Sequence, residues 1–289
     1  MDRFDEDGTR KEGSMRTTLS DADIAAFAPS EKIGIVGTVD EGGEPRLSIL
    51  TTIMGYGPAG LTIGEFSRGE SKRNMARRNE VGFLVMSLDR RIWRGAATWK
   101  EARRSGPEYE AYNRQPMFRY NSYFGIDTVH YLDLVDIDGP EPLPMPAVVA
   151  ASLATAMLAP FARPVGGERI MPPPALRILD ALASLNFACF LDGQGYPRIV
   201  PVIQARSAGP SRIVFSPGPW RDEILAIPAG TRVALLSMNL GMESFMARGR
   251  LNGVGGGLLG MDLDYLYNSA PPCHGQVYPP KPLEAAVIA

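Results

Sequence analysis

Cysteine and histidine are scarce in this 289-residue chain: Cys189 and Cys273, His130 and His274 are all it has. Such numbers exclude a disulfide framework and a CxxC metal pair, and they leave little for a zinc site or a histidine-based triad. One-sided charge is missing as well. A formal net charge of −2 and a pI near 5.8 exclude a general nucleic-acid binder, though not a local basic patch. The first eighteen residues, MDRFDEDGTRKEGSMRTT, lack the apolar stretch of a signal peptide and are expected to form a disordered arm. The most apolar helical stretch, AVVAASLATAMLAPFA (147–162), is expected to be too short and alanine-rich to span a bilayer. The expectation is a cytoplasmic protein with no membrane or nucleic-acid partner.

What the chain does have is an internal repeat. Its first copy opens with an amphipathic helix, LSDADIAAFAPS, in which Ser20 or Asp21 can cap free backbone N–H groups. Then come the strand KIGIVGTVD, a Gly-rich turn, the strand RLSILTTIMGYG, the strand GLTIGEF, a basic helix, and the strands EVGFLVMS and RIWRGAATWKE. The second copy repeats the plan: PPALRILDALASL, NFACFLD, RIVPVIQARS, SRIVFSP, the short helix PWRDEILAI, TRVALLSMN and ESFMARGRLNG. Pro45-Arg46 aligns with Pro197-Arg198, Phe66-Ser67 with Phe215-Ser216, and Val81 with Val233.

Short β-branched strands joined by tight turns favour antiparallel pairing, because parallel crossovers would need a helix after nearly every strand. The expected fold is mainly β: two tandem split β-barrels of antiparallel strands, each with a few short helices. The expected boundaries are an arm over 1–18, a first barrel over 19–138, a Pro-rich helical linker over 139–172, a second barrel over 173–262 and a tail over 263–289.

The densest chemistry lies in FSRGESKRNMARRNEVG (66–82). From Arg68 to Arg104 there are 11 Lys/Arg against 4 Asp/Glu. Ser67 and Ser71 supply hydroxyls, Gly69 a close backbone approach, Lys72 a full charge and the helix start free N–H groups, all suited to a phosphate. Ser67-Arg68-Gly69-Glu70 also reads as a capping box, which would use Ser67 on its own helix. Arg73, Arg77 and Arg78 read as a solvated face. Tyr109, Tyr112, Phe118, Tyr120, Tyr123 and Phe124 either wall a pocket or pack over a barrel end. GVGGGLLG (253–260) has no βαβ frame and reads as a turn.

Helix, strands and a basic helix before the fourth strand together resemble the pyridoxamine 5′-phosphate oxidase-like, FMN-binding split-barrel family. That family's helix reads S-x-K-x-x-N-L-x-x-N; Lys72 and Asn79 match it, while Glu70 and Met75 stand at the Ser and Asn positions, with Ser71 and Asn74 one place away. The resemblance implies an FMN-dependent oxidoreductase acting on a small molecule. It implies Ser67, Arg68, Ser71 and Lys72 as the phosphate cradle, with Arg46 as a second cation. Thr51 and Thr52 would reach the flavin ring or ribityl chain, and Trp93 and Arg94 stand near the position of a ring contact. Alternatives are a non-catalytic flavin-binding or sensing module, and a haem-binding or haem-degrading split barrel with His130 or His274 as axial ligand. At the place of Ser71-Lys72 the second copy is read to carry Trp220-Arg221, followed by Asp222 and Glu223, so its site is expected to be degenerate. The barrels are expected to pair either within one chain or between two chains as a homodimer.

Overall fold

The computed structural model describes residues 15–66, 69–115, 125–166, 168–239, 241, 243–269 and 274–281. Helix α1 (Asp21–Phe27) starts at a capping box in which Ser20 and Asp23 satisfy each other's backbone N–H groups. The first sheet holds β1 (Lys32–Val39), β2 (Pro45–Ile49), β3 (Ile53–Gly55), β4 (Gly60–Glu65), β5 (Glu80–Ser87), β6 (Arg91–Arg103) and β7 (Thr128–Pro142). Helix α2 (Glu70–Arg77) precedes β5, and α3 (Pro107–Arg114) follows β6. All pairings are antiparallel, in the order β2-β1-β5-β6-β7-β4-β3.

One expected strand, RLSILTTIMGYG, is two. β2 pairs with β1 at one edge of the sheet and β3 pairs with β4 at the other. The chain must therefore cross between edges, and it turns at Leu50–Thr52, where the Leu50 N–H donates to the Gly34 carbonyl. A β-carbon on Gly34 would sit 2.2 Å from the Leu50 carbonyl oxygen, so only glycine admits this crossing. RIVPVIQARS divides in the same way.

Helix α4 (Met145–Leu158), continued by a 3-10 turn at Ala159–Ala162, links the halves. This segment has a mean hydropathy of 1.7 and is long and apolar enough to cross a membrane by length and composition. One side is fixed to the second half. Thr155 Oγ1 accepts from the Ser216 N–H, and the Ala151 carbonyl accepts from Ser216 Oγ. Val149, Leu153, Met157 and Phe161, four residues apart, are exposed on its other side.

The second sheet contains β8 (Leu185–Leu191), β9 (Pro197–Pro201), β10 (Arg206–Ser207), β11 (Arg212–Phe215), β12 (Arg232–Met238), β13 (Ser244–Gly255), β14 (Leu258–Asn268) and β15 (Gly275–Tyr278). Helix α5 (Pro173–Asp180) precedes it, and α6 (Arg221–Leu225), entered through a 3-10 turn at Gly218–Trp220, stands before β12. Its order, β9-β8-β12-β13-β14-β11-β10, repeats the first sheet strand for strand. The bulge in the β6–β7 pairing, between Ala96 and Ala97, recurs in β13–β14 between Arg248 and Gly249. Two corrections to the expected boundaries follow. β14 continues past 262 to Asn268, and β15 adds a strand on it, so much of the expected tail belongs to the second sheet. Residues 15–18 are tied down by reciprocal backbone bonds between Arg16 and Ile137. Gly255–Gly257 form the β13–β14 hairpin turn, all three with positive φ, in agreement with the reading of GVGGGLLG.

The two sheets pack reciprocally within the chain. β2 lies on β8, β12 and β13, and β9 lies on β1, β5 and β6. One apolar core runs across this seam, joining Ile35, Leu47 and Leu84 to Phe187, Val200 and Leu235. Gly37 and Gly82, paired across β1 and β5, leave a hollow for Pro197. A β-carbon on Gly82 would lie 2.1 Å from the Pro197 carbonyl oxygen.

Candidate functional site

The reciprocal packing creates two equivalent places along the seam, each centred on an arginine at the second position of a Pro-Arg strand start. The matched register lets them be compared residue by residue. Arg46 corresponds to Arg198, Pro58 to Pro210 and Val81 to Val233, with no net insertion between. The bulges place Asp136 and Asp138 of β7 opposite the same neighbours as Tyr265 and Tyr267 of β14.

At the first place, Arg46 Nη1 donates to the Tyr265 hydroxyl (3.3 Å), and its guanidinium carbon lies 4.1 Å from the centre of the Tyr267 ring. Arg248 stacks on the other tyrosine, 4.0 Å from the Tyr265 ring centre, and also pairs with Asp40. Both arginines are buried, and the Arg248 Nε has no hydrogen-bond partner among the described residues. Two residues along β2 from Arg46, the Ser48 hydroxyl bonds the Ser71 hydroxyl in the first turn of α2. That helix begins at Gly69, and no side chain among the described residues caps it. Burial pushes the Tyr267 hydroxyl above its usual range, with Arg46 pulling it down and Glu70 pushing it up. Among the described residues no carboxylate is ion-paired to Arg46, so this end of the seam offers cationic, hydroxyl and backbone N–H donors together.

At the second place the carboxylates are built in. Arg198 donates from Nη1 to Asp136 (2.7 Å) and from Nε to Asp192 (2.7 Å). Arg94 reaches across the seam to Glu223 (3.0 Å) and the Ile199 carbonyl, and pairs within its own sheet with Glu141 (3.3 Å). Arg94, Asp136, Arg198, Ile199 and Glu223 line a cleft of about 320 Å³. The register also corrects the alignment of the halves. Sheet pairing puts Phe215 with Ile63 rather than with Phe66, and the unbroken count puts Glu223, not Trp220, at the place of Ser71. Where the first half presents a hydroxyl, the second presents a carboxylate already bound to Arg94. Ser216 is held by the linker helix, and Trp220 Nε1 donates to Glu141 (3.3 Å).

The expected site residues therefore separate. Arg46 and Ser71 come together at the first seam place. Lys72 is on the same helix turn, and its Nζ lies 3.7 Å from where a β-carbon on Gly69 would stand. Burial lowers the Lys72 ammonium below its ordinary range, against the pull of Glu65. Thr51 lies in the crossing turn, and the Thr52 hydroxyl is spent on the Gly64 carbonyl (2.7 Å). Trp93 and Arg94, being neighbours in a strand, face opposite sides of β6. Trp93 packs edge-on against Phe27 and donates to Asp23 (2.8 Å), whereas Arg94 serves the second seam place. Ser67, Arg68, Phe118, Tyr120, Tyr123 and Phe124 lie outside the described residues. Tyr112 is buried over the barrel end, its hydroxyl donating to the Thr52 carbonyl (2.6 Å). Ser48, Arg248, Tyr265 and Tyr267 fall outside the sequence-based expectation. The alternation of tyrosines in MDLDYLYN is the sign of a strand with one aromatic face.

A separate buried group lies at the end of β4. Trp99 Nε1 donates to His130 Nδ1 (3.1 Å), which leaves His130 Nε2 to carry the proton and donate to Glu65 Oε2 (2.9 Å). Both ring nitrogens are thereby engaged. The other Glu65 oxygen is buried without a hydrogen-bond partner among the described residues.

No protein-family model matches the chain, and no curated protein matches it in sequence. Solved structures match it over part of its length. HupZ of Group A Streptococcus is 14% identical, with a TM-score of 0.35, over 43% of this chain and 97% of its own. An FMN-binding protein from Syntrophomonas wolfei is 15% identical, with a TM-score of 0.35, over 42% and 84%. An F420 reductase is 13% identical, with a TM-score of 0.34, over 42% and 98%. The split-barrel description rests on the strand order of this chain itself.

Proposed function

We propose that the chain binds FMN at the first seam place and acts as an FMN-dependent oxidoreductase on a small molecule. One observation carries the reading: Arg46 has aromatic and hydroxyl neighbours where its counterpart Arg198 has two carboxylates. An anion is drawn to the first place and repelled from the second. Arg46, Ser71 and Lys72 would hold the flavin phosphate. The start of α2 adds backbone N–H groups and a partial positive charge. Arg248, itself paired with Asp40, braces the Tyr265 ring from the second half. Bound flavin supplies the redox chemistry, and the protein's part is to fix and orient it. Because residues of both halves build the place, a single chain carries one complete site. The haem alternative loses support at His130, whose ring nitrogens are both taken by Trp99 and Glu65.

The test is an absorbance spectrum of the purified chain, followed by FMN titration read by quenching of flavin fluorescence. Arg46→Ala is expected to weaken binding by roughly 10- to 100-fold, since charge-assisted hydrogen bonds contribute about 1.5–3 kcal/mol and each 1.4 kcal/mol is tenfold. Arg198→Ala is expected to leave affinity unchanged. A chain that takes up no FMN, or loses it equally with either substitution, overturns the assignment. Flavin that binds but is not reduced by any donor points to the non-catalytic module.

A further inference from the structure

A second cavity shares no lining residue with the seam cleft. About 880 Å³ in volume, it lies between the 3-10 turn that ends the linker helix, the segment Arg169–Pro173, the turn before β11 and strand β15. That is the size range of small-molecule sites, roughly 300–1,000 Å³. Its walls are largely apolar, with Ile170, Met171, Leu176 and Val277 among them. Arg163, Arg169 and Arg206 also line it, against one acidic residue, Asp180. The Asp180 carboxylate already accepts from both the N–H and the hydroxyl of Ser207. Among the described residues, none of the three arginines is ion-paired.

The cavity is not an inheritance of the repeat. The Gly209-Pro210 turn matches Gly57-Pro58, and in both halves the Pro carbonyl accepts from the segment before the first helix: Leu19 in one, Ile170 and Met171 in the other. At Gly57 no described residue lies within 4 Å of where a β-carbon would stand, whereas at Gly209 Arg163 Nε comes within 3.1 Å of that point. Arg163 comes from the linker and Val277 and Tyr278 from β15, both elements without a counterpart among the described residues of the first half. Among the described residues, these elements enclose a turn in the second half that stays open in the first.

We infer that this cavity is a second binding site, for an amphiphilic anion with an apolar body and a carboxylate or phosphate head. The apolar walls take the body, and Arg163, Arg169 and Arg206 take the head. This site is independent of the flavin reading.

The full chain is titrated with 8-anilinonaphthalene-1-sulfonate, an apolar fluorophore with an anionic head. A saturable rise in fluorescence is expected, displaced by decanoate or decyl phosphate and not by decanol. The two anions separate a carboxylate from a phosphate preference. Arg163→Ala and Arg169→Ala are each expected to weaken the probe about tenfold. Ala156→Trp, at an exposed position that lines the cavity, is expected to block it with the fold intact even where an arginine variant fails to fold. Arg46→Ala serves as the control and leaves the titration unchanged. Displacement by decanol as effective as by decanoate, indifference to Ala156→Trp, or loss of the signal in Arg46→Ala would each overturn the proposal.

Discussion

Arg46 of β2 and Tyr265 of β14 are 219 residues apart in sequence and share a hydrogen bond across the seam. The contact joins the second strand of one half to the last long strand of the other. Its counterpart joins Arg198 to Asp136, so the same geometry gives a stacked cation at one end and a neutralised one at the other.

Arg94 and Glu223 provide the sharpest test of the seam. Arg94 is buried and Glu223 partly so, and Arg94 is shared between Glu223 and Glu141. Glu223→Gln is expected to destabilise the chain by about 2 kcal/mol, the worth of hydrogen bonds to a charged group, since Arg94 keeps Glu141. Arg94→Met with Glu223→Leu also deprives Glu141 of its cation and is expected to destabilise further in urea unfolding. FMN affinity should not change in either variant.

Gly82 tests the packing itself. Gly82→Ala drives a methyl group against the Pro197 carbonyl, and backbone cannot swing aside as a flexible side chain would. A loss of about 3 kcal/mol is expected in urea unfolding, at the upper end of ordinary overpacking. The equivalent position in the second half is Ala234, so Ala234→Gly should cost less, about 1 kcal/mol.

Asp23 makes stability depend on acid. Burial alone would raise its carboxyl, but hydrogen bonds from Arg16, Ser20 and Trp93 overcome that and lower it to about 2, from 3.8 for an ordinary aspartate. A carboxyl lowered on folding stabilises above its unfolded value and loses that contribution as pH falls. About 2 kcal/mol is expected to disappear between pH 4 and pH 2. Asp23→Asn should flatten this part of the stability curve in pH-dependent urea unfolding.

His130 should hold a single tautomer. The indole of Trp99 can only donate, so Nδ1 must accept and Nε2 must bear the proton. Nitrogen-15 NMR is expected to show a pyridine-like Nδ1 and a pyrrole-like Nε2. Trp99→Phe should release the constraint and mix the tautomers.

Much of this architecture was legible because its signals are local. Strand alternation, tight turns and the repeated Pro-Arg start are properties of short windows, and they yielded two barrels in the right order. The crossing at Leu50–Thr52 was not, since nothing in RLSILTTIMG marks where a β-branched run leaves one sheet edge for the other. The dipeptide Phe-Ser misled the alignment after the fourth strand, because it recurs three places out of step with the sheet. Trp93 and Arg94 read as one feature in sequence and act on opposite faces of a strand. The partners of Arg46 were invisible for a different reason: Tyr265 and Tyr267 belong to the other half, and only the folded seam brings them near.

The linker has a consequence that concerns symmetry. In a dimer of identical barrels every substitution is made twice, so the two seam places must remain copies of each other. Joining the barrels through α4 removes that obligation. Asp136 can neutralise Arg198 without a matching carboxylate appearing beside Arg46, and one place can be retired while the other is kept. The covalent connection thus gives the chain a freedom that no association of equals possesses.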